Sequence, residues 1–312
     1  MNRLFSAVTL MSLLLTGTAF AAPKVVASTK PVHSLVAGVM AGIGEPGLIV
    51  RGAASPHTYS LRPSDAAALE GADIVFWTGH GLELFLGEAL DTLSTGAQTV
   101  ALSAAPGIDL LPMREGGAFE PHEDGDTEHG HDHDHDHAHE EEGDMHFWLD
   151  PENAKLMVTE IARVLGEADP DNAAAYTANA KTEIAALDAL EGEIGERLAP
   201  VAGKPFVVFH DAYQYFERRF GLTVAGTITV SPETMPGAAR VEELRGKVGE
   251  LGATCVFAEP NFEPAIVATI VEGTEARAGV LDPEGSALPE GPELYGELLR
   301  GIAAGLTDCL TR

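Results

Sequence analysis

The chain has 312 residues, and its 48 acidic side chains outnumber 19 lysines and arginines, which gives a formal net charge of -29 at pH 7. This charge argues against nucleic acid and anionic membrane as partners. It suits a protein that handles cations, and the length is sufficient for two compact lobes.

The first 21 residues have the pattern of a secretory signal peptide. Arg3 supplies a positive charge, residues 4–15 are apolar, and Ala19-Phe20-Ala21 is a small-residue cleavage site. The apolar stretch is too short and interrupted for a convincing membrane span. We therefore expect a soluble, exported protein that is cleaved near Ala21 and begins near Ala22.

Strand and helix patterns alternate in the next part of the chain, residues 22–170, which we predict to be an N-terminal lobe. Strands are predicted at residues 24–29, 47–50, 72–77 and 98–102, and helices at 31–40, 63–70 and 82–90. The run ADIVFW at 72–77 is continuously apolar, as in strands buried on both faces. Such alternation indicates a parallel sheet covered by helices.

A histidine- and acid-rich tract occupies residues 121–144 within this lobe. Between Pro121 and Met145 it has no apolar residue larger than alanine, so it cannot bury enough surface to fold and is expected to be disordered. Imidazole binds Zn, Cu, Ni and Co, and a short histidine-rich segment is typical of metal binding, although a solvated linker is the alternative. The candidate accessory ligands, which follow His122, are His129, His131, His133, His135, His137 and His139.

After the tract, Asp150 and Pro151 have the pattern of an N-cap and first helical residue for a helix to about residue 166. A long Ala- and Glu-rich helix over 171–199 would link this lobe to a second one, residues 200–312. There the alternation resumes, with strands predicted at 206–209, 222–229, 254–258 and 279–281 and helices at 212–220, 238–251, 264–272 and 293–306.

The predicted fold class is therefore α/β, with two (β/α) lobes that contain parallel sheets and are joined by a single long rigid helix. Ligand sites in such folds lie beside the carboxyl ends of the strands, so we expect a site in the cleft between the lobes.

Three histidines outside the tract lie in loops beside strand or helix ends. His57 follows the second strand, His146 precedes the Asp150 cap, and His210 directly follows the strand FVVF. Three neutral imidazoles suit tetrahedral Zn(II), with a fourth position for water or a carboxylate. A single histidine is more often structural than ligating, so it is the joint placement that suggests a metal site.

Enzyme signatures are scarce in the sequence, which has no H-E-x-x-H, G-x-S-x-G or C-x-x-C. A secreted zinc-dependent hydrolase built from three histidines, with Glu259 as the general base, stays open as an alternative. Glu259 could equally accept local hydrogen bonds. A stand-alone zinc chaperone or buffer is a further alternative.

The chain has two cysteines, Cys255 and Cys309. In an oxidising compartment an isolated pair most simply forms one disulfide, whereas two buried free thiols are the alternative.

Several strings, in this order, resemble a known family: STKPVHSLVAGVM, GAASPHTYSLRPSD, HFWLDPEN after a histidine- and acid-rich loop, VVFHDAYQYFERRFGL, CVFAEPNFEPAIV and LDPEGSAL. The family is that of the periplasmic zinc-binding proteins of bacterial zinc ABC importers, the ZnuA type among metal-binding solute-binding proteins. The resemblance covers essentially the whole mature chain.

The resemblance implies a non-enzymatic, monomeric receptor that captures Zn(II) in the periplasm and delivers it to an ABC permease in the inner membrane. It implies zinc ligands at His57, His146 and His210 and a disulfide between Cys255 and Cys309. The tract would be a weaker, accessory zinc site.

The sequence departs from the family pattern at Pro56, where some relatives have a glutamate that reaches the metal. Proline cannot bind a metal, so water, Asp282 of LDPEG or a neighbouring acid is left as the fourth ligand. His33 and His80 are supporting groups, auxiliary sites or surface residues.

Overall fold

The computed structural model describes residues 22–114, 143–229, 236–250, 252, 254–262 and 264–311. The predicted signal peptide and all of the tract except Gly143 and Asp144 lie outside the described residues. The strands are β1 Val25–Ala27, β2 Gly47–Leu48, β3 Ile74–Trp77, β4 Gln98–Ala101, β5 Pro205–Val208, β6 Thr223–Thr227, β7 Cys255–Ala258 and β8 Arg277–Val280. The helices are α1 Lys30–Val39, α2 Pro63–Glu70, α3 Leu84–Leu93, α4 Pro151–Ala168, α5 Ala173–Leu198, α6 Gln214–Phe220, α7 Ala238–Glu250, α8 Pro264–Val271 and α9 Leu294–Leu310.

The strands form two four-stranded parallel sheets with the same spatial order. The first sheet has the order β2-β1-β3-β4 and the second β6-β5-β7-β8. Parallel neighbours need crossover connections, which the helices provide. The two-lobed α/β architecture expected from the sequence is therefore confirmed.

The central strands β1, β3 and β7 are buried on both faces of their sheets, since alternate residues point to opposite sides and each side is covered. In β3, Ile74 and Phe76 face a central core that both lobes share, whereas Val75 and Trp77 face an outer core of the first lobe. In the second sheet, Phe257 faces the central core and its neighbours face a third cluster. This burial explains why the strands read as continuous apolar runs.

Helices α4 and α5 lie in the central core between the lobes. The Asp150 side chain caps α4 by accepting a hydrogen bond from the Glu152 amide at 2.9 Å, as its position before Pro151 predicts. Helix α5 runs for 26 residues and buries residues at helical spacing, namely Tyr176, Ala180, Leu187, Leu190, Ile194 and Leu198. The long linking helix is confirmed, while the exact domain boundaries stay a prediction.

Several element ends differ from the sequence prediction. Helix α6 begins at Gln214 and not at Ala212, because residues after β5 first form a tight turn in which the Ala212 amide bonds to the His210 carbonyl at 2.9 Å. Helix α9 continues past the predicted end to Leu310. Gly305 lies so close to β8 that a Cβ there would be 2.7 Å from the Val280 carbonyl oxygen, so glycine permits this packing.

The disulfide between Cys255 and Cys309 is confirmed. It joins β7 to α9, and its Cα atoms are 6.2 Å apart, within the usual range. The bridge therefore fixes the last helix of the chain against the second sheet.

Candidate metal centre

The three predicted histidines meet between the lobes although they come from three separate segments. His57 lies in the loop after β2, His146 precedes a 3-10 turn at Phe147–Leu149, and His210 follows β5. The His146 Nε2 lies 3.3 Å from the His57 Nε2 and 3.2 Å from the His210 Nε2. Ligand atoms of all three lie within 4.8 Å of one another.

These separations match those of a tetrahedral zinc site. With zinc–nitrogen bonds of about 2.0–2.1 Å, tetrahedral geometry places two ligand nitrogens about 3.4 Å apart. His146 and His210 are buried, and the His57 side chain is only 11% exposed, so little water competes for the enclosed ion. The fold thus brings together the imidazoles that the sequence singled out, with nitrogens aimed at one point.

The far side of the His146 ring is held by Asp144. The Asp144 Oδ1 lies 2.8 Å from the His146 Nδ1 and also accepts the His146 amide at 3.0 Å. The Tyr215 hydroxyl in turn donates to the Asp144 carbonyl at 2.7 Å. When Nδ1–H donates to the carboxylate, Nε2 keeps its lone pair for a metal.

Glu259 holds the His210 ring in the same way. Its two carboxylate oxygens lie 2.8 and 2.9 Å from the His210 Nδ1. Burial raises the pKa of Glu259 to about 8, although the His210 amide works in the opposite direction. A bound dication favours the carboxylate form, which then accepts Nδ1–H and leaves Nε2 to the metal.

A third acidic side chain, Glu284, lies beside the Nε2 of His57. Its Oε1 is 3.9 Å from the His57 Nε2 and accepts a hydrogen bond from the Ser55 hydroxyl at 3.2 Å. The Asn261 amide donates to Oε2 at 3.4 Å. Burial raises the pKa of Glu284 well above its ordinary value, and the carboxylates of Glu259 and Asp282 add to this shift.

Asp282, the acid named from the sequence, instead organises its own loop. Its Oδ1 accepts the Glu284 amide at 3.2 Å, and its Oδ2 accepts the Ser286 hydroxyl at 3.0 Å and the Ala287 amide at 3.2 Å. Pro56 lines a small cavity beside Glu284. Both carboxylate oxygens of Asp282 are thus occupied by hydrogen bonds within the loop.

His33 and His80 lie outside the three-histidine cluster. The His33 Nε2 contacts the Pro46 carbonyl at 3.1 Å, and burial lowers the pKa of this imidazole. The His80 ring packs edge-on against Trp77 with centroids 4.7 Å apart. Among the described residues the one other potential ligand group is the partly exposed set Glu152, Asp188 and Glu191, to which Lys155 binds.

The sequence left two of the acids at the site unnamed. Asp144 could have been found from its place two residues before His146. Glu284 had a weaker signal, since it is the second acid in the string LDPEG. The six accessory histidines of the tract, from His129 to His139, lie outside the described residues.

A comparison with known families and proteins agrees with this geometry. The family described as "Zinc-uptake complex component A periplasmic" (ZnuA) matches residues 25–309. The protein called high-affinity zinc uptake system protein ZnuA of Brucella suis biovar 1 is 53% identical over an alignment of 306 positions, which covers 92% of each chain. The proteins of the same name from Paracoccus denitrificans and Yersinia pestis are 39% and 37% identical and are covered to 92%. Those matches include 92% and 93% of the present chain.

Solved structures share the fold over nearly their whole length. A crystal structure of ZnuA has a TM-score of 0.75 at 25% identity, and the match covers 92% of this chain and 99% of that one. The laminin-binding protein Lmb of Streptococcus agalactiae has a TM-score of 0.74 at 27% identity, with the same coverage. The Mn²⁺ complex of FpvC from Pseudomonas aeruginosa has a TM-score of 0.77 at 22% identity, and the match covers 93% of this chain and 99% of that one. At this identity the similarity supports the fold alone.

Proposed function

Because the chain belongs to the ZnuA family of periplasmic zinc-uptake components, we propose that it captures Zn(II) in the periplasm and delivers it to an ABC-type importer. Zinc is the cargo, and no bond chemistry is performed on it. The protein acts as an exported monomer after cleavage near Ala21. Within the described part of the chain, no helix has the length and apolar character needed to cross a membrane.

The observation that carries this proposal is the convergence of three imidazole nitrogens at 3.2 and 3.3 Å, two of them backed by carboxylates. A ligand set of three neutral imidazoles favours Zn(II) over Mn(II), which prefers more oxygen ligands. Since the rings come from both lobes, an ion bound between them is enclosed by the cleft. His57, His146 and His210 are the proposed ligands.

A zinc hydrolase finds no support at this site. Such an enzyme needs a general base beside an open metal position where water can be activated. Glu259, the acid considered for that role, directs both oxygens at the Nδ1 of His210, on the side of the ring away from the metal position. Its contacts suit the support of a ligand.

The proposal is tested by His57→Ala, His146→Ala and His210→Ala. Each substitution removes one ligand, and we expect zinc affinity to fall by more than about 100-fold, the loss reached even when only the support of a ligand is removed. Competition against a chromophoric chelator measures this change. His80→Ala is the matched control, since it removes an imidazole outside the cluster and should leave affinity unchanged. Unaltered affinity in all three ligand variants would exclude this site.

We further propose that the tract collects additional zinc for the cleft. Residues near its two ends lie close to the site: Arg114, before the tract, forms an ion pair with Asp211, next to His210, and Asp144, the last residue of the tract, holds His146. The Asp144 amide also bonds to the Leu111 carbonyl at 2.7 Å. Zinc bound to a segment tethered at both ends beside the cleft has a high effective concentration there.

Deletion of residues 121–143 tests the role of the tract. The shortened protein should bind fewer zinc ions in total and retain one tight ion, because the three cleft histidines remain. Calorimetric titration gives both numbers. Loss of the tight ion on deletion would show that the tract is part of the primary site.

A further inference from the structure

We propose that the Glu284 carboxylate completes the zinc site as its fourth ligand. This inference rests on the proposed zinc-binding function and specifies the coordination that the three histidines leave open. It places an oxygen ligand from the second lobe opposite His57 and His146 of the first.

The position of Glu284 carries the first step. Its Oε1 lies 3.9 Å from the His57 Nε2, the atom that also faces the His146 Nε2 at 3.3 Å. A tetrahedral zinc ion with a nitrogen and a carboxylate oxygen at about 2.0–2.2 Å places these two atoms about 3.3–3.6 Å apart. The Glu284 carboxylate is not among the ligand atoms that lie within 4.8 Å of one another, so it must move towards the His146 and His210 nitrogens when zinc binds.

The electrostatics of Glu284 carry the second step. Its side chain is buried, yet no lysine or arginine in the described ranges lies within ion-pair distance of its carboxylate. Its hydrogen bonds come from neutral donors, Ser55 and Asn261, at 3.2 and 3.4 Å. Lys30 stabilises this carboxylate only from beyond ion-pair distance. A zinc ion between the histidines would supply the closer positive partner that a buried carboxylate needs.

The other candidates for the fourth position fit less well. Pro56 has no donor atom in its side chain. Both carboxylate oxygens of Asp282 accept hydrogen bonds, from the amides of Glu284 and Ala287 and the hydroxyl of Ser286. Zinc binding by Asp282 would break these hydrogen bonds, which organise its loop. Asp144 and Glu259 face the Nδ1 atoms, away from the metal position. Glu284 is thus the acid of this site that the structure places beside an Nε2 atom, that of His57.

A crystal structure of the wild-type protein with zinc tests the assignment directly. We expect one Glu284 oxygen at about 2.0–2.2 Å from the ion, together with three imidazole nitrogens. Water or Asp282 in that position, with Glu284 only hydrogen-bonded nearby, would overturn the inference and leave the proposed function intact. Zinc bound away from the three histidines would instead contradict the proposed function.

Substitutions provide a second test in solution. Glu284→Gln should lower zinc affinity at least about tenfold, as measured by chelator competition, because a neutral amide is a poor zinc ligand. Glu290→Gln, at an exposed acid of the same segment, is the matched control and should bind as wild type does. Equal affinities of Glu284→Gln and wild type would refute the assignment.

Folding of the variants is checked by their melting temperature in EDTA. Should Glu284→Gln fail to fold, Glu284→Asp keeps the charge but draws the carboxylate back by one methylene, and it should also bind zinc more weakly. Equal zinc affinities of Glu284→Asp and wild type would also overturn the inference.

Discussion

At the scale of single residues, two carboxylates determine how the imidazoles present themselves to a metal. Asp144 and Glu259 contact the Nδ1 atoms of His146 and His210 at 2.8 Å. They fix each ring in orientation and tautomer, so that the lone pair of Nε2 is directed at the proposed metal position without a rearrangement of the ring. We therefore expect the affinity of the proposed site to depend on residues that do not touch the ion.

This dependence predicts the effect of Asp144→Asn and Glu259→Gln. Each variant keeps the size of the side chain and loses the negative charge that holds Nδ1–H, so zinc affinity should fall by about 10–100-fold. Chelator competition measures the change, and Asp109→Asn, at an exposed acid of the same lobe, serves as the control. If neither variant differs from that control, the two carboxylates have only a structural role.

The three histidines could be predicted from the sequence because each lies in a loop beside the end of a strand or helix. Their carboxylate partners could not be predicted equally well. Asp144 reaches His146 through a local turn, whereas Glu284 meets Ser55 across a separation of 229 residues. Such long-range contacts are determined by the packing of the lobes. The spacing of residues in the sequence therefore does not predict them.

At the scale of secondary-structure elements, α5 contains a partly buried glutamate, Glu183, whose ionisation is unfavourable in the folded chain. Glu183 lies on the side of α5 that packs against Gly38 of α1. Partial burial raises the pKa of Glu183, and the nearby Glu293 carboxylate raises it further. The folded chain therefore holds this proton more tightly than the unfolded chain does.

The sign of this shift predicts how stability depends on pH. Stability from the protonated Glu183 is fully present below the ordinary carboxyl pKa of about 4.3 and is lost as pH rises through the raised pKa. Glu183→Gln removes this loss, so the variant should unfold at a higher urea concentration than wild type at pH 8 and at a similar one near pH 4. Glu196→Gln, at an exposed position of α5, is the control. A constant difference between Glu183→Gln and wild type across this range would contradict the prediction.

The elements themselves were predictable because the buried strands read as apolar runs and several helices, such as α2 and α4, begin with a proline. The ends of these helices and strands were less predictable from the sequence. The delayed start of α6 comes from the turn that carries His210, and the extension of α9 depends on contact between Gly305 and β8. Both deviations reflect tertiary contacts that override local preference.

At the scale of the whole molecule, Lys30 connects the lobes. Its Nζ donates to the carbonyls of Ser286 and Leu288 at 2.8 and 2.9 Å and contacts that of Gly285 at 3.2 Å. Nearby, the Trp148 indole donates to the Pro283 carbonyl at 3.0 Å. The loop that contains Glu284 is therefore fastened to the first lobe from both sides.

Lys30→Met should loosen this connection. The substitution leaves buried carbonyls without their charged donor, so the free energy of unfolding should fall by about 1–3 kcal/mol. Urea denaturation in EDTA measures the change. Lys181→Met is the control, because it also removes one positive charge, from an exposed lysine of α5 that makes no interlobe contact among the described residues. The same loss in both variants would mean that the Lys30 contacts add nothing to stability.

The sequence predicted two similar lobes, and the matching strand orders of the sheets confirm this. It could not predict how closely the lobes approach, since the Lys30 contacts join residues 255 to 258 positions apart. The shared core around α4 and α5 produces that approach.

The metal site formed by His57, His146 and His210 also affects how long each molecule resists proteolysis. An ion bound there stabilises only the folded chain, by about 4.1 kcal/mol when free zinc is 1,000 times the dissociation constant. The empty receptor therefore unfolds more often than the loaded one and is the form that proteases encounter. Degradation would then remove the zinc-free receptor selectively. The lifetime of the protein would therefore increase with the fraction of molecules that have zinc bound.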